Sequence, residues 1–160
     1  MPMPRRDTPS PVVNAETLRA YLGTTYVVDV PAMPGARARR ITLRIGRQSR
    51  AVLALHAALG VHSSVFVTAW NPFSGAAGDA ENARAMARLL AMLVRQGYRP
   101  LTGRGVGEDP AWTPEESLFV PGADAAFARA ACVRYRQSAA VHVGGDGVPR
   151  LILHPRIAIG

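Results

Sequence analysis

Residues 64–70, Ser-Val-Phe-Val-Thr-Ala-Trp, carry apolar side chains at odd and even positions alike and run directly into Asn71-Pro72. A strand with one wetted face alternates apolar and polar residues, whereas a strand covered on both faces does not. This stretch therefore requires a central place in a sheet with a layer on each side. The elements downstream of it constrain the topology. Asp79 is placed to cap a helix over about 80–96, with Met86, Leu89, Leu90, Leu93 and Val94 as its core stripe, Arg84, Arg88 and Arg95 opposite, and Gly97 as its stop. Short strands are expected at 98–102 and 116–120, separated by a Gly-, Pro- and acid-containing connection over 103–114. A helix capped by Asp124 then runs to about residue 135, and a strand comes next at 138–143.

Strand, helix, strand, strand, helix, strand is the split βαβ order of ferredoxin-like domains. Right-handed crossovers put 116–120 between 64–70 and 98–102, antiparallel to both, and put 138–143 on the other flank of 64–70. Upstream, Asn14 can cap a helix through Leu22. After it come a strand at 24–30, a loop at 31–39 and a strand at 40–45 with Ile41, Leu43 and Ile45 on one face and Arg40, Thr42 and Arg44 on the other. Ser49 can cap a helix through Leu59 with Val52, Leu55 and Leu59 on one stripe, and Gly144-Gly145-Asp146-Gly147 turns the chain into a last strand at 150–153. The expected fold class is α+β. It has a ferredoxin-like split βαβ core in a mixed, mostly antiparallel sheet, extended by an N-terminal β-hairpin plus helix and a C-terminal strand.

With 160 residues, 48% of them hydrophobic, one domain over 14–160 is expected. Residues 1–13 hold four prolines among polar residues and read as a flexible lead-in. No run approaches the roughly 18 apolar residues that span a bilayer, and no apolar segment comes after the arginines near the N-terminus, so a cytoplasmic protein is expected. Cys132 is the only cysteine, which excludes an internal disulfide and cysteine-based zinc sites. All 19 basic residues are arginine, giving a net charge of +8. Arginine in place of lysine, with abundant Ala and Gly, is also what a GC-rich genome produces, so charge alone does not identify a polyanion partner.

The expected topology brings four separated stretches to one end of the sheet: Thr68 to Pro72 with the helix start at Asp79, Glu81 and Asn82; then Gly103-Arg104-Gly105; then Trp112 to Ser117; then Gln137. There Trp70 and Trp112 would face each other as apolar walls, with Thr68, Asn71, Asn82, Arg104, Glu116 and Gln137 as polar contacts for a small polar ligand. The same end collects Asp79, Glu81, Glu108, Asp109, Glu115 and Glu116, so an enzyme with Glu116 as acid or base, with or without Mg²⁺, is an alternative from another class. A third reading is a nucleic-acid-binding module using Arg37, Arg39, Arg40, Arg44, Arg47 and Arg50, the densest basic stretch. The glycines of 103–107 lack the Lys and Ser/Thr of a phosphate loop and lead to a strand, so a flexible loop with positive φ is the plainer expectation. His56, His62, His142 and His154 are dispersed and Ser117 is in no nucleophile elbow, which leaves hydrolytic triads without support. Cys132 shares a helix face with Phe127 and Ala128 and reads as a buried, inert thiol.

Phe66-Val67-Thr68-Ala69-Trp70-Asn71-Pro72, Glu81-Asn82, Gly103-Arg104-Gly105, Trp112-Thr113-Pro114-Glu115-Glu116-Ser117 and Gln137 together resemble the bacterial family DUF3293, over about residues 20–153. The resemblance implies a fold and a motif set without an assigned reaction.

Overall fold

The computed structural model describes residues 12–74 and 76–159. Helices begin where the sequence offers caps. Asn14 accepts from the Thr17 amide (2.8 Å) and opens α1 (Ala15–Gly23). Ser49 accepts from Val52 (3.1 Å) and opens α2 (Arg50–Leu59), and Asp124 accepts from Phe127 (2.8 Å) and opens α4 (Ala125–Tyr135). Each side chain satisfies an amide that the first helical turn leaves unpaired. The longest helix, α3 (Asp79–Arg95), differs from expectation. Its N-cap is Gly78 and makes no side-chain bond, while Asp79 is the first helical residue, where with Glu81 it complements the positive helix end.

The strands are β1 (Val12–Val13), β2 (Thr25–Val30), β3 (Arg39–Leu43), β4 (Ser64–Val67), β5 (Leu101–Val106), β6 (Glu115–Pro121), β7 (Ala139–Val143), β8 (Pro149–Leu153) and β9 (Ala158–Ile159). Seven of them form one sheet in the order β3-β2-β5-β6-β4-β7-β8, antiparallel at every neighbour. The inner order β5-β6-β4-β7 is the split βαβ arrangement read from the sequence, with the β2–β3 hairpin added beyond β5 and β8 beyond β7. Among the described residues parallel pairing occurs only between β1 and β9, which form a separate two-stranded ribbon. Residues 1–11 of the expected lead-in lie outside the described residues; Val12 and Val13 are in β1, and Val13 is buried.

Both faces of the sheet are covered. On one, Val65, Val67, Leu118, Val120 and Ala140 pack with Met86, Leu89 and Leu93 of α3 and Ala128 and Cys132 of α4. On the other, Phe66, Phe119, Val141 and Val143 join Tyr26, Val28, Ile41 and Leu43 around Val52 and Leu55 of α2. A single helix that reaches both the β2–β3 hairpin and β7 requires a curled sheet, and α2 lies in the curl. Leu59, Leu90 and Val94, expected in the core, are exposed, while His56, Asn82 and Met92 are buried in their stead. On α3 the buried set 82, 86, 89 and 93 centres the apolar face about 70° from Leu90 and about 110° from Val94 at 100° per residue.

Of the strand boundaries that differ from expectation, those of β4 and β5 bear on the converging end. The β4 ladder stops at Val67 because the Thr68 hydroxyl captures the backbone, accepting from the Trp70 amide (3.0 Å) and donating to the Glu116 carbonyl (2.6 Å). Gly103-Arg104-Gly105, expected as a loop, forms the middle of β5, paired with β2 on one side and β6 on the other. Neither glycine has a positive φ. Gly103 serves close approach, since the Phe66 ring lies over it and meets Tyr26 edge-on at 5.2 Å. Among the described residues no helix is long and apolar enough to cross a membrane.

Candidate functional site

The ends of β4 and β5 and the starts of β6, β7 and α3 do meet at one end of the sheet. Asn71 and Asn82 form its centre. The Asn71 amide N–H donates to Asn82 Oδ1 (3.0 Å), and Asn82 Nδ2 returns a bond to Asn71 Oδ1 (3.0 Å), which also accepts from the Ala77 amide (3.1 Å). Asn71 Nδ2 reaches Glu115 Oε1 at 3.3 Å. Gln137 Nε2 donates to the carbonyls of Trp70 (3.0 Å) and Tyr135 (3.2 Å). Thr68, Trp70, Asn71, Asn82 and Gln137, with the Glu116 carbonyl, are thus brought together. The amides expected to face a ligand are largely spent on one another, forming a clasp that ties the β4 exit to α3, β6 and the α4–β7 junction.

The backbone here is strained. Asn71 (φ 44°), Phe73 (φ 51°) and Arg136 (φ 54°) are the positive-φ residues other than glycine among the described residues. Asn adopts this region readily, but for a bulky side chain such as Phe it is an outlier. The three sit side by side: the Phe73 amide donates to the Arg136 carbonyl (2.7 Å), and the Arg136 guanidinium stands 5.5 Å from the Phe73 ring centre. Beside them opens a cavity of about 250 Å³ lined by Pro72, Ala77 and Ala85 as apolar wall and by Glu81, Asn82, Arg84 and Arg88 as polar groups. Arg84 and Arg88 make no ion pair with any described residue.

Other expected members lie elsewhere. Trp112 is 73% exposed in the connection before β6, whereas Trp70 packs against the α3–α4 core, and no ring contact joins them. Arg104 is the cross-strand neighbour of Glu116, yet its ion pair is with Asp29 (3.3 Å), one strand further out. Glu116 is exposed. The half-buried carboxylate is Glu115, whose carboxyl is raised by burial and drawn back by the Asn71 bond. Asp79 and Glu81 are exposed on the first turn of α3, and among the described residues no three His, Cys, Asp or Glu side chains are grouped to hold a metal ion.

The six arginines of the basic stretch do not form one track. Arg40 pairs with Asp29 (3.2 Å), Arg44 donates to Thr25 Oγ1 (3.1 Å), Arg37 and Arg39 lie before or at the start of β3, and Arg47 and Arg50 lie beyond its end.

Residues 67–140 match the model of the family described as "Protein of unknown function (DUF3293)". The match spans a little under half of the chain, and over that stretch the chain is similar to DUF3293. The comparisons with curated proteins and with solved structures returned no match. The DUF3293 stretch contains the whole clasp, the three strained residues and Arg84 and Arg88, together with Arg104, Trp112 and Glu116. It leaves out Arg37, Arg39, Arg40, Arg44, Arg47 and Arg50.

Sequence reasoning missed Phe73, Arg136 and the cavity arginines, and of the two neighbouring acids it placed at this end it singled out Glu116 where the half-buried one is Glu115. A left-handed Phe has no local sequence signal. Glu115 and Glu116 differ only in which face of β6 they occupy, and because both faces of that strand are apolar further along, the pattern does not decide. Arg84 and Arg88 were visible as the polar side of α3, but nothing marked them as facing a cavity. The histidines do not assemble a site. His56 Nε2 lies 2.8 Å from Ser64 Oγ with both side chains buried, and Nδ1 of the ring is buried without a partner. Cys132 is fully buried, and burial pushes its thiol up to about 12, which makes it a poor nucleophile.

Proposed function

We propose that this protein binds a small polar ligand in the cavity beside the Asn71–Asn82 clasp. The observation that carries this is that the cavity adjoins, through Pro72 and the Asn71–Asn82 pair, three non-glycine residues of positive φ. Such backbone costs on the order of 1–3 kcal/mol per residue, is held only where its surroundings over-determine it, and collects at ligand sites. Here the clasp and the Phe73–Arg136 bond hold it. Pro72, Ala77 and Ala85 supply a rigid apolar wall, while Arg84 and Arg88, one helical turn apart and without carboxylate partners, suit an anionic group on the ligand. Trp112 and Arg104 are outside this site, and Trp70, packed against the α3–α4 core, does not line it.

A thermal-shift screen against nucleotides, sugars, organic acids and divalent metals tests the proposal. A ligand at a hundredfold excess over its Kd adds about 2.7 kcal/mol of stability, enough to raise the midpoint clearly. The double variant Arg84→Gln, Arg88→Gln leaves the clasp intact and should lose the shift. If a compound stabilises wild type and double variant equally, it does not bind in this cavity.

A further inference from the structure

The opposite end of the sheet holds a second and larger concavity. Where β2 ends, β3 begins and β5 begins, an open groove of about 600 Å³ is walled by Pro31, Ala38, Pro100 and Leu101 and edged by Arg39 and Arg40. It lies outside the DUF3293 stretch on its β2–β3 side and shares no residue with the cavity beside α3.

The charge at the groove is unbalanced. Asp29 is its only acid, and both carboxylate oxygens of Asp29 are engaged, Oδ1 by Arg40 Nε at 3.2 Å and Oδ2 by Arg104 Nη1 at 3.3 Å. Arg40 spends one of its five N–H donors in that pair, and its terminal nitrogens bond to no described residue. Arg39 is half-buried at the rim, and its side chain makes no hydrogen bond or ion pair with any described residue. A part-buried arginine whose side chain has no acceptor, at the edge of an apolar wall, suits the paired oxygens of a carboxylate or phosphate, while Arg40 leaves from the opposite face of the pleat beside Asp29 and adds positive charge at the groove's edge. Prolines and aliphatic side chains on the remaining wall suit an apolar body, not a second charge.

We infer that this groove binds a small organic anion, a carboxylate or phosphate ester whose acidic group meets Arg39 and whose apolar part lies against Pro31, Pro100 and Leu101. A nucleic-acid strand fits less well. Arg47 and Arg50 are at the far end of β3, Arg44 is held by Thr25, and no aromatic side chain lines the groove to stack a base.

Phenyl phosphate supplies the chemistry for a test by ¹H–¹⁵N correlation spectra of the full chain. Saturable shift changes are expected at the amides of Val30, Ala38, Arg39, Leu101 and Thr102. Arg39→Gln breaks no bond in the fold, so its spectrum should stay dispersed while the dissociation constant rises about tenfold or more, as the loss of charge-assisted bonds predicts. Arg84→Gln with Arg88→Gln should leave this binding unchanged, which separates the groove from the cavity beside α3. Shifts that fail to saturate, or an affinity that Arg39→Gln does not weaken, overturn the inference. So does a short oligothymidylate that moves the amides of Arg47 and Arg50 with those of the groove while phenyl phosphate moves none.

Discussion

At Gly103 an added Cβ would lie 2.5 Å from the Val27 carbonyl oxygen and 2.9 Å from Cε2 of Phe66. The carbonyl belongs to the β2–β5 ladder and cannot retreat without loosening it, and the Phe66 ring is fixed by Tyr26. Gly105, two residues on, would meet nothing closer than Thr24 Cγ2 at 3.6 Å, an ordinary contact. The two glycines look alike in sequence but differ in function: one makes room for an aromatic ring, the other only tolerates its neighbours. Gly103→Ala should therefore destabilise the fold by about 1–3 kcal/mol, the usual cost of overpacking, while Gly105→Ala stays within about 0.5 kcal/mol of wild type. Chemical denaturation of the two variants checks this, and equal losses would show that the glycines serve the backbone and not the Phe66 ring.

Among the elements, α2 and β4 meet through the His56–Ser64 pair, the polar contact in an otherwise apolar layer. Burial lowers the His56 pKa, and His62 and His142 lower it further. The folded state thus binds fewer protons than the unfolded chain below the ordinary histidine value of about 6.5. The stability that His56 contributes is fully present above that value and is lost as pH falls from it toward the depressed folded value. His142 and His154, lowered chiefly by their own burial, act in the same direction. Glu115 acts oppositely: its raised carboxyl favours the folded state at low pH, and that contribution is lost as pH rises through the carboxylate range. Unfolding free energy should accordingly drop on acidification below about pH 6.5, and His56→Gln should flatten that slope; an unchanged slope would mean that His56 does not titrate differently in the two states. At this scale the sequence was most informative. The caps at Asn14, Ser49 and Asp124, the two-sided burial of 64–67 and the order of inner strands all come from local rules, and the inner strand order then placed the converging end. What escaped was whatever depends on tertiary approach: which α3 residues face the sheet, that Gly103 and Gly105 lie inside a strand, and that Trp112 stands in solvent away from Trp70.

For the molecule as a whole, the sheet's curl leaves its two edges close together, and the loop after β3 spans them. The Gly46 amide donates to the Pro149 carbonyl (2.9 Å), the Ser49 amide to Gly147 (2.9 Å) and Gln48 Nε2 to the Asp146 carbonyl (2.9 Å). Gly147 at φ 71° packs against Leu53 of α2, so the β7–β8 turn is seated on the helix inside the curl. Bridging the edges protects both from pairing with another chain. It also joins segments about a hundred residues apart, so these bonds cannot open by local fraying. α1 is different, for none of its residues is buried. Native-state hydrogen exchange should then find the Gly46 and Ser49 amides protected nearly as long as those of Val65 and Phe66 in β4, while the amides of α1 exchange early. If Gly46 and Ser49 exchange with α1 instead, the bridge opens on its own, the sheet behaves as an open layer, and the β3 and β8 edges are free to act independently.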